Sequence, residues 1–266
     1  MNLVSVIIPT YNNERTLGEC IDSIKKQTYV DIEIIIVDNN SNDNTQAIAK
    51  KMGAKVIQLN AERTTSKNFG AEKAKGRYVC FIDSDMILTS NVIKESVLIA
   101  GKENVGGIVI PEMSTGNSFW TKVRNFERSF YKNTIVESAR FFRRDLILKS
   151  GGFDENLVCY EESTLPQKIE KLGFSINART EAEILHNEND FSIMKWLNRK
   201  FYYGKSVWEY GSNYKEYGSK QIGFLYRSRL FFNNKRFYSN PVLMAGVIVL
   251  KTLEYISAFF GHLIKK

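Results

Sequence analysis

The chain is poor in the residues that would staple or metallate a small fold. Its 266 residues hold three cysteines, Cys20, Cys80 and Cys159, widely separated and without a CxxC pair. That argues against a disulfide framework and a zinc ribbon, and for reduced, buried thiols in a cytoplasmic protein. Histidine is scarcer still, with only His186 and His262. No glycine follows the first apolar run, where the sequence reads PTYNNERT. A GxGxxG dinucleotide site is excluded there. The same absence weighs against a sugar-1-phosphate nucleotidyltransferase, which needs a Gly- and Arg-rich phosphate loop at that point. The N-terminus, MNLVSVIIPTYNNE, has no basic stretch ahead of its apolar residues and is interrupted by Pro9. It reads as a first strand and not as a signal peptide. Neither an internal repeat nor a low-complexity segment is visible.

What is present is an ordinary globular composition, 43% hydrophobic and 25% charged, enough for one larger α/β domain or a domain with an appendage. The charge is uneven. Residues 195–266 carry 13 Lys and Arg against three acids, a net of +10, so the first 194 residues hold −2 of the chain's +8. The same tail holds 17 of the 33 aromatic residues. Basic and aromatic together suit a membrane interface. They also suit nucleic acid, which is kept as a rival reading. Within the tail, Pro241–Ile264 is an apolar run of 24 residues with Lys251 and Glu254 at its centre. At 100° per residue Lys251, Glu254, His262 and Lys265 share one stripe. The run reads as a helix in or partly inserted into the interface; a packed soluble helix and a true span are the alternatives, the span opposed by its central charges.

Short apolar runs punctuate the first half. Leu3–Ile8, Ile32–Val37, Lys55–Leu59 and Tyr78–Ile82 read as strands. Helices are expected from Asn12 or Asn13 to about Gln27, over 45–52, and over 66–75. This βαβαβαβ order predicts a doubly wound, mostly parallel sheet. Ligands of such sheets bind beyond the carboxyl ends of the strands. Three polar clusters fall there: Pro9-Thr10-Tyr11, Asp38–Asp43 and Asp83-Ser84-Asp85. The last interrupts the apolar stretch VCFIDSDMIL. Two acids in such a run are costly if buried, so they mark a strand end or await a positive partner. Further on, strands are expected at Val105–Pro111, Ala139–Arg143, Phe174–Ala178 and Ala182–Leu185, with helices at Ser118–Tyr131 and Pro166–Leu172.

The segments VSVIIPTYNN, IIIVDNNSNDNT, TSKNFGAEKAKGRYVCFIDSDMIL and GGFDENLVCYEESTLPQKIEKLGF resemble, in order, the successive signatures of family 2 glycosyltransferases with the GT-A fold. The likeness runs from about Val4 to His186. IPEMSTGNSFWTKVRNFER, with ARFFRRD after it, further resembles a prokaryotic branch that builds cell-surface or lipid-linked glycans. The resemblance implies an inverting transferase that moves a sugar from a nucleotide diphosphate sugar, UDP-sugars being the commoner donors. It implies a catalytic domain over 1–194, with its nucleotide-sugar half at about 1–110 and its acceptor half at about 111–194, followed by a membrane-associating tail over 195–266.

Residue by residue, the resemblance implies a donor site at Pro9, Thr10, Tyr11, Glu14, Asp38, Asn40, Arg63, Lys67, Asp83, Ser84 and Asp85. Tyr11 would stack on the base, Asp38 would accept from a base N–H, and Arg63 and Lys67 would meet the diphosphate; the family more often has Arg at Lys67. Asp85, with His186 and Asp83, would hold a divalent cation, Mn²⁺ or Mg²⁺. Glu162, where the family has Asp, would be the general base, with Glu161 as the open alternative. Arg140 and Trp120 are candidate acceptor residues; surface or core roles are the competing readings. The Gln-x-x-Arg-Trp motif of processive synthases is missing after the Glu-Glu site, which favours transfer of one sugar. The expected partners are the donor, a glycan or lipid-linked acceptor, and the cytoplasmic face of the cell membrane, bound peripherally or monotopically; nucleic acid is not expected, and the oligomeric state is open.

Overall fold

Residues 2–189 and 191–265 are described by a computed structural model, the side chain of Lys265 apart. The elements in chain order are β1 (Val4–Thr10), α1 (Leu17–Lys25), β2 (Ile32–Asp38), α2 (Thr45–Lys51), β3 (Lys55–Gln58), α3 (Arg63–Lys73), β4 (Tyr78–Phe81), β5 (Met86–Leu88) and α4 (Val92–Ala100). There follow β6 (Gly107–Val109), β7 (Glu112–Thr115), α5 (Phe119–Arg128), β8 (Ala139–Arg143), α6 (Arg144–Ser150), a 3-10 turn (Glu161–Ser163) and α7 (Thr164–Lys171). The chain ends with β9 (Ala178–Arg179), β10 (Ile184–Asn187), α8 (Ile193–Asn213), α9 (Lys215–Gln221), α10 (Phe224–Phe232), a second 3-10 turn (Lys235–Ser239) and α11 (Pro241–Lys265).

These form two compact units. The first is Met1–Glu112 with Ser138–Glu155 and Glu161–Asn187; the second is Met113–Glu137 with Asn156–Tyr160 and Glu188–Lys266. Residues 113–137 therefore group with the C-terminal helices. The first unit holds a seven-stranded sheet in the order β3-β2-β1-β4-β8-β6-β9. The first four strands are parallel, β8 is antiparallel to both neighbours, and β9 is parallel to β6. β1 is buried throughout, as its continuous apolar run demands when helices cover both faces of a sheet. Val4, Val6 and Ile8 pack with Leu17, Cys20 and Ile21 of α1, while Ile7 packs on the other face with Ala71, Phe81 and Phe142. All three cysteines are buried. Burial raises the Cys20 thiol and pushes Cys80 up to about 12, so both stay protonated.

Two expectations shift. The helix predicted from Asn12 or Asn13 begins only at Leu17. Asn12 adopts a left-handed backbone (φ 51°), and its side chain accepts from the Asn42 N–H; the backbone N–H groups of Asn13 and Glu14 donate to Thr45 and Asp43. These residues tie one strand-end loop to the next and do not start a helix. The strand predicted over Phe174–Ala178 pairs only at Ala178–Arg179, with an isolated bridge between Val105 and Ser175. The left-handed Gly173 (φ 90°) turns the chain just before it.

In the second unit Val123, Phe130, Tyr131, Phe231, Phe237, Val247 and Leu250 form one apolar cluster. α8 and α11 approach closely, since a Cβ on Gly261 would meet the Phe201 carbonyl oxygen at 1.8 Å. Lys251 and Glu254 turn inward. Lys251 Nζ lies 2.7 Å from Glu254 and also pairs with Glu127, while Trp196 Nε1 donates to Glu254 at 2.7 Å. Lys265, expected on the same stripe, lies outside the described side chains. The exposed residues of α11 include Val242, Ile248, Val249, Ile256, Phe259 and Phe260, and among the described residues none is charged.

Candidate active site

The ends of β1 and β2 meet first. Their parallel register sets Thr10 beside Asp38. Thr10 Oγ1 donates to Asp38 Oδ2 at 3.1 Å. Asp38 also accepts from the Ser41 N–H (2.9 Å), the Ser41 hydroxyl (2.5 Å) and Gln46 Nε2 (2.7 Å). The carboxylate is fully buried, and these four bonds use its lone pairs. These contacts fix, at the strand-end loop, the carboxylate expected to accept from a base N–H. Tyr11 is 57% exposed beside it, free of the core as a stacking side chain must be. Glu14 Oε2 accepts from the backbone and side chain of Asn44 at 3.0 and 2.8 Å. Asn40 is exposed on a left-handed backbone (φ 53°), and Pro9 is buried in β1.

The end of β4 carries the acids. Ser84 is buried, with Asp83 and Asp85 half-buried on either side of it in sequence. Antiparallel pairing of β5 with β10 sets His186 opposite Met86. His186 Nε2 comes to 3.1 Å from Asp85 Oδ2. Two donor atoms on a small divalent ion, bound at about 2.1 Å each, lie about 3 Å apart, so this carboxylate–imidazole pair fits two neighbouring positions on such an ion. Asp83 does not join them. Its two oxygens face Arg63 Nη1 at 3.7 Å and Arg140 Nη2 at 3.6 Å. Among the described residues no three His, Cys, Asp or Glu side chains form a metal cluster. Of the expected Asp83, Asp85 and His186, the structure brings Asp85 and His186 together and sets Asp83 between two guanidinium groups.

Around Asp83 the cations and carboxylates alternate. Arg140 is buried on β8; its Nε donates to Glu112 Oε1 at 2.6 Å, and its Nη2 lies 3.8 Å from Glu162 Oε2. Burial would lower the pKa of this guanidinium, but Glu112, Glu162 and Asp83 together hold it above the usual arginine value. Arg140, a candidate acceptor residue, thus sits inside the charge cluster. Glu161 is 2% exposed and binds Arg63 directly. Glu162 keeps 28% of its side-chain surface, with Lys67 Nζ 3.0 Å from its Oε1. Burial alone would raise the Glu162 pKa; Lys67, Arg140 and Arg63 more than reverse this and hold it well below the usual carboxylate range. Arg63 is 41% exposed, whereas Lys67 is 1% exposed and turned into the protein. Trp120 belongs to the second unit, where it packs on that unit's apolar cluster and against Phe119.

Glu112 is the cluster member that sequence reasoning passed over. It accepts from Arg140, and its Oε2 lies 3.9 Å from His186 Nδ1. The signal was available, since Glu112 follows the apolar run VGGIVIP as Asp83 follows VCFI.

Residues 5–153, more than half of the chain, match the family described as Glycosyl transferase family 2. The chain belongs to this family. Among curated relatives of the transferase, glycosyltransferase GlyG of Streptococcus pneumoniae is 40% identical over 102 residues, 35% of this chain and 33% of that protein. The poly(ribitol-phosphate) β-N-acetylglucosaminyltransferase TarP of Staphylococcus aureus is 30% identical over 206 residues, 73% of this chain and 60% of that one. The chain thus spans about a third to three fifths of the length of these relatives. In solved structures the transferase resembles the mannosyltransferase PcManGT of Pyrobaculum calidifontis in complex with GDP-Man and Mn²⁺, with a TM-score of 0.70 at 16% identity, covering 99% of this chain and 86% of that one. It also resembles S. aureus TarS 1–349 in complex with UDP-GlcNAc, with a TM-score of 0.60 at 18% identity, covering 96% and 81%. At these identities the structural likeness establishes the GT-A fold.

Proposed function

We propose that this transferase moves one sugar from a nucleotide diphosphate sugar, UDP-sugars first, to a hydroxyl of a glycan or lipid-linked acceptor, with inversion. The observation that carries this is Glu162, an ionised carboxylate with open surface in the charge cluster at the end of β4. The acceptor oxygen attacks the anomeric carbon, the carbon–oxygen bond to the diphosphate breaks, and its electron pair leaves with the nucleoside diphosphate. The hydroxyl proton passes to Glu162. Tyr11 stacks on the base, and Arg63 turns its exposed guanidinium to the diphosphate. Asp85 and His186 would hold Mn²⁺ or Mg²⁺, which supplies positive charge against the diphosphate when bound. Support comes from the names of relatives and neighbours: TarS was solved with UDP-GlcNAc, PcManGT with GDP-Man and Mn²⁺, and the Escherichia coli relative WfgD, 32% identical over 108 residues, is a UDP-Glc:α-D-GlcNAc-diphosphoundecaprenol β-1,3-glucosyltransferase covering 39% of this chain and 43% of its own.

A thermal-shift screen tests this directly. UDP-GlcNAc, UDP-Glc and GDP-Man are compared with Mn²⁺, Mg²⁺ or EDTA. A donor at about a hundred times its dissociation constant adds about 2.7 kcal/mol, which raises the melting temperature by roughly 5–10 °C for a chain of this size. Loss of that rise in EDTA, and in Asp85→Ala with Mn²⁺, is expected. If no nucleotide sugar moves the melting temperature under any condition, the reading falls.

The tail completes the proposal: residues 195–266 hold the enzyme at the cytoplasmic face of the membrane, where a lipid-linked acceptor lies. Pro241–Ile264 is long and apolar enough to cross a bilayer by length and composition. With Lys251 and Glu254 turned inward, its uncharged outer stripe suits a helix lying in the interface plane. α8 exposes Lys195, Arg199, Lys205, Tyr202 and Trp208, cations for anionic head groups and rings for the boundary. The protein is expected to co-sediment with vesicles containing phosphatidylglycerol. Phe259→Ser with Phe260→Ser should weaken that binding about a hundredfold or more, given about 1.5–3 kcal/mol for each buried ring. Binding to oligonucleotides with a steep salt dependence, and none to vesicles, would favour the nucleic-acid reading.

A further inference from the structure

Lys67 belongs to the diphosphate group only if its ammonium can leave the protein interior, and its surroundings oppose that. α3 lies against β1 through Gly70, where a Cβ would meet Ile7 Cγ2 at 2.5 Å. This approach brings the buried face of α3, with Thr64, Ser66 and Lys67, down onto the sheet. The lysine is 1% exposed. Its Nζ lies 3.0 Å from Glu162 Oε1, 3.8 Å from Glu161 Oε1, and 5.5 Å from the centre of the Phe153 ring. Arg63, one turn earlier on the same helix, is the cation with open surface.

We infer that Lys67 is a positioning residue for the base: its ammonium fixes the Glu162 carboxylate in one orientation and keeps it ionised, and Arg63 alone meets the diphosphate. This rests on the reading of Glu162 as the base. The physical ground is a difference in solvation. A buried lysine head group gains by facing carboxylates already beside it, and turning it to a ligand would take from Glu162 its nearest cation. Every group facing Glu162 counts in its ionisation. Among the described residues these are Lys67 and Arg63 from α3, Arg140 from β8, and the adjoining Glu161, which shares Arg63 and Lys67. Asp83 and Glu112 act at one remove, each drawing on Arg140. Lys67 is the nearest of these cations to Glu162, and its removal leaves two guanidinium groups at 3.8 and 3.9 Å.

The experiment reads two quantities in the full chain. The titration of the Glu162 carboxyl carbon is followed by NMR after ¹³C-glutamate labelling, its signal identified by its loss in Glu162→Gln. UDP binding with Mn²⁺ is followed by calorimetry. In Lys67→Met the Glu162 titration should rise by about one unit or more, while UDP affinity stays within about threefold of wild type. Lys67→Arg, which keeps the charge, should restore the wild-type titration. Once a donor and acceptor are in hand, the acid limb of turnover should move with the titration and leave the donor KM unchanged. If Lys67→Met does not fold, Lys67→Gln removes the charge and serves the same measurement. An unmoved Glu162 titration, or a loss of UDP affinity of about tenfold, overturns the inference. Should wild type bind no nucleotide at all, the proposed function fails, and the titration still decides what Lys67 does.

Discussion

Glu162→Gln is expected to lower sugar transfer by about a thousandfold while the melting shift given by a UDP-sugar survives. The amide is nearly the same shape and keeps the packing, but it cannot accept the hydroxyl proton; a positioned acid or base commonly contributes about 10²–10⁴ in rate. Its neighbour should behave differently. Glu161 is buried against Arg63 and near Lys67. Glu161→Gln removes a buried carboxylate that anchors Arg63 and lies near the buried Lys67, so it should lower stability more than chemistry. Rates at saturating donor, with melting curves of each variant, separate the two. Full transfer in Glu162→Gln with loss in a folded Glu161→Gln would exchange their roles. For wild type, the cations around Glu162 place the acid limb of the rate below the usual glutamate range, because the base protonates only there.

Lys251→Met is expected to cost about 3–5 kcal/mol of stability, the range for removing one partner of a buried ion pair. Lys251 is bound between Glu127 and Glu254, and all three side chains are largely buried. Methionine fills the space but removes the cation bonded to both carboxylates, leaving the less direct charges of Lys200 and Arg124, among the described residues, to act on Glu254. The melting temperature should fall by about 10 °C for a chain of this length. Adding Glu127→Gln and Glu254→Gln should recover most of the loss, since the stranded charges go with the substitution. A fall of only a degree or two in Lys251→Met would mean that Lys251 is solvated and that its contacts are incidental.

The first four strands were legible because each is a short, β-branched run closed by a polar cluster, and no other structure hides such runs so economically. The acids at the end of β4 were legible for the same reason. The direction of a side chain was not. Lys67 and Arg63 look alike in sequence, both basic and four residues apart, yet one is buried and the other open. Only the close seat of α3 on β1 decides between them. Arg140 reads, with Arg143 and Arg144, as either an acceptor residue or a surface one; on β8 it is buried and faces carboxylates from three other segments. The inward turn of Lys251 and Glu254 was equally hidden. A helical stripe predicts that such residues share a face, but not whether that face meets water, lipid or Glu127 and Trp196.

The second unit gathers its core from distant parts of the chain, with Val123, Phe130 and Tyr131 packed against Phe237, Val247 and Leu250. Over a hundred residues separate the two halves. At about 5–20 residues per second of synthesis, α5 waits many seconds on the ribosome before its partner exists. During that interval Phe119–Tyr131 is a nascent, apolar-faced segment without a mate. The protein is therefore most exposed to chaperone capture or aggregation late in translation, and a truncation that removes Phe237, Val247 and Leu250 makes that exposure permanent.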